Sequence, residues 1–374
     1  MDKVLIKDIA EVVNGSTPST KENSYWDGNI PWITPKDLSA FSGRYISSGE
    51  RNITKEGYQS CSTTLVPKNT ILLTSRAPIG YLAIAKNDLC TNQGFKSLIC
   101  NQSRILPLYM FYWLSTKIEF LKSISGGATF KELSKTSLEN VVMDLPNIVR
   151  QQHIVDIIGS VDDLIEKNTK IITKLSFLAE KTIELVPRKS TSKPLSYFCY
   201  SIICGTTPST KNSRFWMGNI PFITLEDMHD LPFVTSSQRK ISEEYFIKCK
   251  RQLHEGDIIT SCIGTVGKVA LVSCNCQTNQ QINAVNPIPK YRYYLYEELK
   301  KKKAELLLLS KSGSATPNIN KNTFSNICFA IPNDCELNKI NAALSLIFKK
   351  ILVLQKENDT LRKQKNVLLV KYFG

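Results

Sequence analysis

Histidine is scarce in this chain: His153, His229 and His254 are all it has, and its eleven cysteines fall at irregular spacings. The tightest cysteine pair, Cys274 and Cys276, has no second Cys or His pair near it. A structural zinc site wants two ligand pairs at fixed spacing, so no metal is expected. An odd number of irregular cysteines also argues against a disulfide framework and for a reducing compartment. No apolar run reaches the roughly 20 residues of a membrane-spanning helix. The opening MDKVLIKDIAEVVNG lacks the apolar segment of a secretory signal. There is no G-x-x-x-x-G-K-S/T phosphate loop, which excludes an ATP motor. F-x-G-x-G and N/D-P-P-Y/F are also missing. The nearest string, Asn286-Pro-Ile-Pro289, lacks the aromatic that would stack on a flipped base, so a self-sufficient DNA amino-methyltransferase is excluded too.

What is present is an ordinary globular composition with an unusual charge. The 374 residues are 42% hydrophobic and 22% charged, enough for two or three domains with their own cores. The net charge is +15 and the pI about 9.2. Such a balance points to a polyanionic partner, nucleic acid first and an anionic membrane surface second.

The chain also repeats itself. GSTPSTKENSYWDGNIPWITPKDL, starting at Gly15, returns as GTTPSTKNSRFWMGNIPFITLEDM, starting at Gly205, a spacing of 190 residues. Thr17/Thr207, Pro18/Pro208, Trp26/Trp216, Gly28/Gly218, Pro31/Pro221 and Asp37/Asp227 coincide. ILLTSRAPIG from Ile71 and TNQ from Thr91 return from Ile258 and Thr278 at a spacing of 187, as do Gly126 and Ala128-Thr129 at Gly313 and Ala315-Thr316. LENVVMDLP, ending at Pro146, then matches FSNICFAIP, ending at Pro332. A period this long means duplicated domains, not a solenoid. Between the matched blocks, residues 39–65 and 229–252 share little.

Short β-branched runs between Gly, Pro, Asn and Ser clusters predict strands at NTILLTS, GYLAIA and FKSLIC, and at GDIITSC, GKVALVS and INAVNPI. One helix is expected over Arg104–Ile124 and another over Tyr291–Ser310. GSTPST and GTTPST read as loops. Each block then leads into a long helical pattern. Ile154, Ile158, Val161, Ile165, Asn168, Ile172, Leu175, Ala179, Thr182 and Val186 form a heptad seam with one polar member. A second stripe, Ile157, Leu164, Ile171, Leu178 and Leu185, runs beside it, wider than a two-helix seam needs. The final helix gives Ile340, Leu344, Ile347, Ile351, Leu354, Asn358, Leu361, Lys365, Leu368 and Tyr372 on the same rule. Each helix would be about 55 Å long at 1.5 Å per residue.

The fold expected is α+β: two similar mixed domains joined by two long antiparallel coiled-coil helices, as a pseudo-two-fold internal repeat. The boundaries fall at 1–147, 148–187, 188–334 and 335–374. Two basic domains held apart by a rod would act as a ruler for two separated DNA half-sites.

These residues carry a resemblance. GSTPST…W..GNIPWITPKDL, TSRAPIG, TNQGF, GGATF and LENVVMDLP…QQHIVDIIGSVDDLIE, in order and mostly doubled, resemble the specificity (S) subunit of type I restriction-modification enzymes along essentially the whole chain. The resemblance implies two target-recognition domains, each reading one half of a bipartite asymmetric site in double-stranded DNA. It implies two methyltransferase (M) subunits docked on the helices, with restriction (R) subunits joining through them. It implies a non-catalytic, cytoplasmic chain without membrane contact and without cofactors of its own; S-adenosylmethionine, Mg and ATP would belong to the partners. Ile157, Leu164, Ile171 and Leu178 on the first helix, and Ile340, Ile347, Leu354 and Leu361 on the second, are the expected docking residues. Two departures stand out: Ile263 occupies the position of Arg76, and the second helix opens ELNKINAAL without the QQ pair.

Basic and hydroxyl side chains on loops are the natural phosphate contacts. In the first domain these are Thr17, Ser19, Lys21, Lys36, Arg44, Arg51 and Arg76; in the second Thr207, Ser209, Lys211, Arg214, Arg239, Lys248, Lys250 and Arg251. The unlike segments 39–65 and 229–252 are the expected base readers. Trp26/Trp216 and Trp32/Phe222 read as packed aromatics more than stacking platforms. Asn92-Gln93 and Asn279-Gln280 fit either an adenine edge or a turn cap. The rival readings are a protein-interaction scaffold whose charge is incidental and a specificity subunit of a related system outside type I.

Overall fold

A computed structural model describes residues 2–39, 41–127, 131–311 and 317–374. Ala128 to Phe130 of the GGATF motif, and its echo at Gly313 and Ala315-Thr316, lie outside the described residues. The chain forms two compact units, residues 1–166 with 361–374, and residues 167–360.

In the first unit the predicted apolar runs become the centre of a five-stranded sheet. Its order is Ala10–Asn14, Phe95–Cys100, Ile71–Ser75, Ile79–Ala85 and Tyr45–Ile46, antiparallel except for the last, parallel pair. Ile71–Ser75 is buried at every residue, which is why it reads as a continuous apolar run and not as an alternating one. A second sheet orders Arg51–Ile53, Trp26–Ile33 and Cys90–Thr91. Asp2–Leu5 pairs antiparallel with Val142–Leu145, so the domain's first strand closes on its last.

The second unit repeats this topology. Its five strands run Cys199–Cys204, Ile282–Pro287, Ile258–Ser261, Val269–Val272 and Phe233–Val234, and its three run Arg239–Ile241, Ile220–Ile223 and Gln277–Thr278. Arg188–Pro194 closes on Cys328–Pro332. The segments that share little sequence still hold the same elements. Tyr45–Ile46, Arg51–Ile53 and a helix at Lys55–Gln59 capped by Thr54 correspond to Phe233–Val234, Arg239–Ile241 and a helix at Glu243–Lys248 capped by Ser242. They are surface-varied scaffold, not unlike insertions.

The helices expected over 104–124 and 291–310 each break in two. Pro107–Thr116 is followed by Ile118–Ser123, and Arg292–Lys301 by Lys303–Ser310. The second piece packs onto a glycine, Gly80 in a strand of the first sheet and Gly267 in the turn before Val269–Val272. A Cβ on Gly80 would stand 2.5 Å from Ile118, and one on Gly267 would stand 2.9 Å from Lys303.

The two long helices are α1, Ile148–Glu184, and α2, Asp334–Phe373. In the second unit they run antiparallel. Near the end of α1, Pro187 O accepts from Asn333 N–H (2.8 Å) just before α2 starts, while Asn168 lies against Asn358 late in α2. Ile172, Ala179, Ile183 and Val186 join Leu337, Leu344, Phe348, Ile351 and Leu354 in one core with the domain above them. In the first unit Ile154, Val155 and Ile158 share a core with Phe373 and, at its edge, Leu368 and Tyr372. Asp162, also buried, accepts from Tyr112 Oη and from Lys365 Nζ, both at 2.8 Å.

Several expected docking residues face inward. Leu354 is only 3% exposed, and Ile340 and Ile347 pack against the second unit's core; Leu361 is half-buried. They are seam positions, and an antiparallel partner consumes a seam. The apolar residues left exposed on α2 are instead Leu346, Val353, Val367 and Val370. On α1 the second stripe behaves as its width implies: Leu164, Leu178 and Leu185 are exposed, while Ile157 and Ile171 are half-buried.

The QQ pair also has an intramolecular explanation. Gln151, fully buried, donates to Arg104 O and Pro146 O and accepts from Leu106 N–H, each at 2.9 Å, locking the domain onto the start of α1. In the second copy Leu337 is buried one turn into α2. There Asp334, bound to Lys290 Nζ (2.8 Å) and Tyr291 Oη (3.0 Å), ties helix to domain.

The buried Asn168–Asn358 contact (3.0 Å) gives the first test. Asn168→Leu alone takes away the donor to Asn358 Oδ1, while Asn358 Nδ2 keeps its bond to Thr169 Oγ1 (3.3 Å), and should cost about 1–3 kcal/mol, whereas Leu at both positions should restore most of the loss. Urea unfolding of the four members of this double-mutant cycle would measure it, and additive losses would show that the pair is uncoupled.

Candidate nucleic-acid interface

The doubled GSTPST loop begins with a glycine for a steric reason. A Cβ on Gly15 would lie 2.2 Å from Asn92 O, and one on Gly205 2.0 Å from Asn279 O. The close approach lets each loop bond to the TNQ turn. Ser16 N–H donates to Thr91 O (3.0 Å) and Thr206 N–H to Thr278 O (2.8 Å). Thr17 Oγ1 donates to Gln93 Oε1, and Thr207 Oγ1 to Gln280 Oε1 at 2.7 Å. Asn92 Oδ1 and Asn279 Oδ1 accept backbone N–H groups two residues on, so the asparagines cap the turns. The glutamines are exposed, and each spends one lone pair of its carbonyl on the threonine hydroxyl, which ties the side chain to the loop.

Each loop is anchored from below by an indole. Trp26 Nε1 donates to Ser19 O (3.1 Å), Trp216 Nε1 to Ser209 O (3.3 Å), and Trp32 Nε1 to Ser16 O (3.0 Å). Trp26 meets Trp32 edge-on at 5.1 Å and 80°; Trp216 meets Phe222 at 5.1 Å and 84°. Trp26, Trp32 and Phe222 are buried and Trp216 half-buried, so these rings pack and position. Over each indole lies an exposed guanidinium, Arg51 at 3.4 Å from the Trp26 ring centre and Arg239 at 3.7 Å from that of Trp216.

The other expected contacts divide. Ser19, Lys21, Ser209, Lys211, Arg214 and Lys250 stand exposed on or near the loops. Lys36 is exposed but paired with Glu50 at 2.7 Å, and that hydrogen bond raises its pKa. Lys248 pairs with Glu244 at 2.5 Å. Arg251 donates to Gly205 O (3.2 Å), bracing the second loop from within.

Arg44 departs from the expectation. It is 7% exposed, and its guanidinium binds Glu166 (2.8 Å) and Asp163 (2.5 Å) on α1. Burial opposes its charge, but the two carboxylate bonds outweigh that and hold it protonated beyond the ordinary arginine range. It latches the domain to the helix and has no open face for a phosphate. The second domain makes the matching latch without an arginine: Gln355 of α2 brackets the backbone of Phe233 (Nε2 to O, 2.9 Å), and Thr235 donates to Asp359 (2.5 Å).

Arg76 belongs to a cluster the sequence reading did not assemble. Glu132 bonds both Arg76 (3.4 Å) and the buried Lys96 (3.3 Å). A cavity of about 840 Å³ opens beside Arg76, lined also by Lys122, Lys131 and Glu119. In the second domain Ile263 and Asn283 occupy the places of Arg76 and Lys96, and Asn283 donates to Cys262 Sγ instead (3.3 Å). The spacing of 187 already aligned these positions; only the partner Glu132 had no signal.

Known proteins agree with this architecture. The model of the type I restriction modification DNA specificity domain matches residues 1–176 and again 187–363. The MjaIX specificity subunit of Methanocaldococcus jannaschii is 35% identical over 98% of this chain and 91% of its own length. The HindI specificity subunit of Haemophilus influenzae is 26% identical over 81% of this chain and 85% of its own. The crystal structure of a type I S subunit from M. genitalium superposes over 100% of this chain and 96% of that one, with a TM-score of 0.63 at 14% identity. A doubled recognition scaffold, matched twice by one family model and along nearly its whole length by a named relative, makes this chain a member of the type I restriction-modification DNA specificity subunit family.

Proposed function

We propose that each domain reads one half of a split, asymmetric duplex site, and that two methyltransferase subunits dock on the exposed stripes of α1 and α2. The observation that carries this is one scaffold folded twice, with its loops alike and its segments 39–65 and 229–252 unlike. We take residues 1–147 and 188–334 as the target-recognition domains, and 148–187 and 335–374 as the spacer helices. The docking residues are Leu164 and Leu178 on α1, Leu185 just past its end, and Leu346, Val353 and Val367 on α2; Leu178 is 51% exposed and Leu185 82%. Residues at intervals of seven lie along one helix face, the form in which a partner helix is met.

The chain acts by binding and positioning, not by catalysis. S-adenosylmethionine, magnesium and ATP belong to the methyltransferase and restriction subunits, the latter joining through the former. No described helix is long and apolar enough to cross a membrane, and the assembly works in the cytoplasm, where the DNA is.

Co-expression with a cognate methyltransferase, followed by mapping of methylated bases in the host DNA, should return two short defined halves around a fixed gap. Replacing residues 39–65 by those of a relative should change one half only; a change in both halves, or a continuous motif, would sink the two-reader scheme. Leu164→Glu with Leu178→Glu should weaken capture of the methyltransferase by about tenfold or more, read by co-purification, because a charge must be buried unpaired. An undiminished complex would place docking elsewhere.

A further inference from the structure

The two domains carry one more feature in common than their fold requires. In each, a guanidinium lies over the face of an indole that is itself bonded to the GSTPST-type loop. That loop in turn occupies the carbonyl of an exposed glutamine through a threonine hydroxyl. The distances agree within 0.3 Å for the stacks, 3.4 against 3.7 Å, although Arg51 and Arg239 lie in segments whose sequences otherwise diverge.

From this we infer that Arg51 with Gln93, and Arg239 with Gln280, form two sequence-blind clamps for the phosphodiester backbone. The inference rests on the DNA-reading function proposed above and assigns the part of the surface that does not select bases. The argument is one of hydrogen-bond polarity. Stacking on Trp26 or Trp216 leaves the edge of the guanidinium, with its N–H groups, turned to solvent. The threonine hydroxyl takes up one lone pair of the glutamine carbonyl and fixes the side chain, which leaves the amide NH2 as its donor to an incoming group. Ser19 and Ser209 hydroxyls and the Lys21 and Lys211 ammonium groups stand exposed on the same loops. Every group named here can donate a hydrogen bond. A phosphate oxygen is only an acceptor, whereas a base edge mixes donors and acceptors.

Duplication supplies the second argument. Two domains that read different half-sites must differ where they touch bases, and this constellation does not differ. What both half-sites share is their backbone. Immobilising the guanidinium on an indole before DNA arrives also removes rotamer entropy that binding would otherwise have to overcome. The copies are unequal in one respect: Glu22, which holds Ser24 N–H and Oγ, stands beside the first loop where the second has Asn212.

The test uses the assembled complex of this chain with its methyltransferase, bound to a duplex carrying the mapped site and to an unrelated duplex over a series of salt concentrations. Arg51→Gln and Arg239→Gln should each weaken both duplexes by the same factor, about tenfold at 0.1 M salt. Each should lower the slope of log K against log salt by about 0.9, the loss of one phosphate contact. The methylated motif should stay unchanged in both halves. Gln93→Glu and Gln280→Glu are exposed substitutions that keep an acceptor for the threonine. They should give the same uniform loss even if the arginine variants fold poorly, which thermal unfolding of the complex would report. A relaxed motif in one half would make these residues base readers and overturn the clamp. So would unchanged affinity in all four variants. If the unsubstituted complex bound no specific duplex, the DNA-reading function itself would fall first.

Discussion

Each domain's first strand pairs with its last, and that pairing sets the path of everything attached to it. In the second unit Arg188–Pro194 lies along Cys328–Pro332, and Asn333 N–H reaches back to Pro187 O. A whole domain therefore leaves from, and returns to, one point between α1 and α2. There α1 ends and α2 begins, and packed side by side they run in opposite directions. The buried Asn168–Asn358 contact, the Leu354 seam and the Gln355 bracket on Phe233 are consequences of this geometry. The same closure in the first unit, Asp2–Leu5 on Val142–Leu145, brings the domain's exit onto the start of α1, where Gln151 locks it.

The surface divides by what it must do. Where a domain is held to its helix by buried polar groups, as at Gln151, Asp162 and Arg44, each is bonded, because an unmatched buried donor or acceptor costs more than a made bond returns. Elements that face a partner stay exposed and keep one polarity, as the stacked arginines and the glutamine amides do. The basic excess of the chain is thus not spread uniformly in purpose: Arg44 and Lys96 serve the fold, and Arg51 and Arg239 face outward.

The doubled topology and the helical seams are legible in the sequence because both rest on periodicity. Ile71–Ser75 and Ile258–Ser261 announce themselves as apolar runs, and Asn168 and Asn358 fall on the seam by simple counting. Side-chain partners are not periodic, and there the reading runs out. Arg44 looks like any loop arginine until α1 brings Asp163 and Glu166 to it. In the sequence Leu354 fits the partner's face as well as the seam, because a seam and a docking stripe have the same spacing; only the position of the other helix separates them. The pieces that follow the helix breaks at Lys117 and Lys302 pack on glycines distant in sequence, Gly80 and Gly267, which no local propensity records. Residues 39–65 and 229–252 look unrelated because their shared strands are two or three residues long, too short to leave a pattern.

The antiparallel pairing has a consequence in time. The seam of α1 leaves the ribosome long before the seam of α2 that covers it, because the second domain must be synthesised between them. At 5–20 residues per second, about 150 residues take roughly 8–30 s. For that interval Ile172, Ala179 and Ile183 have no partner helix, and the half-made chain is most open to aggregation or to capture by a chaperone. The second domain, folding within that window and sharing a core with those same residues, is the first cover the nascent helix receives.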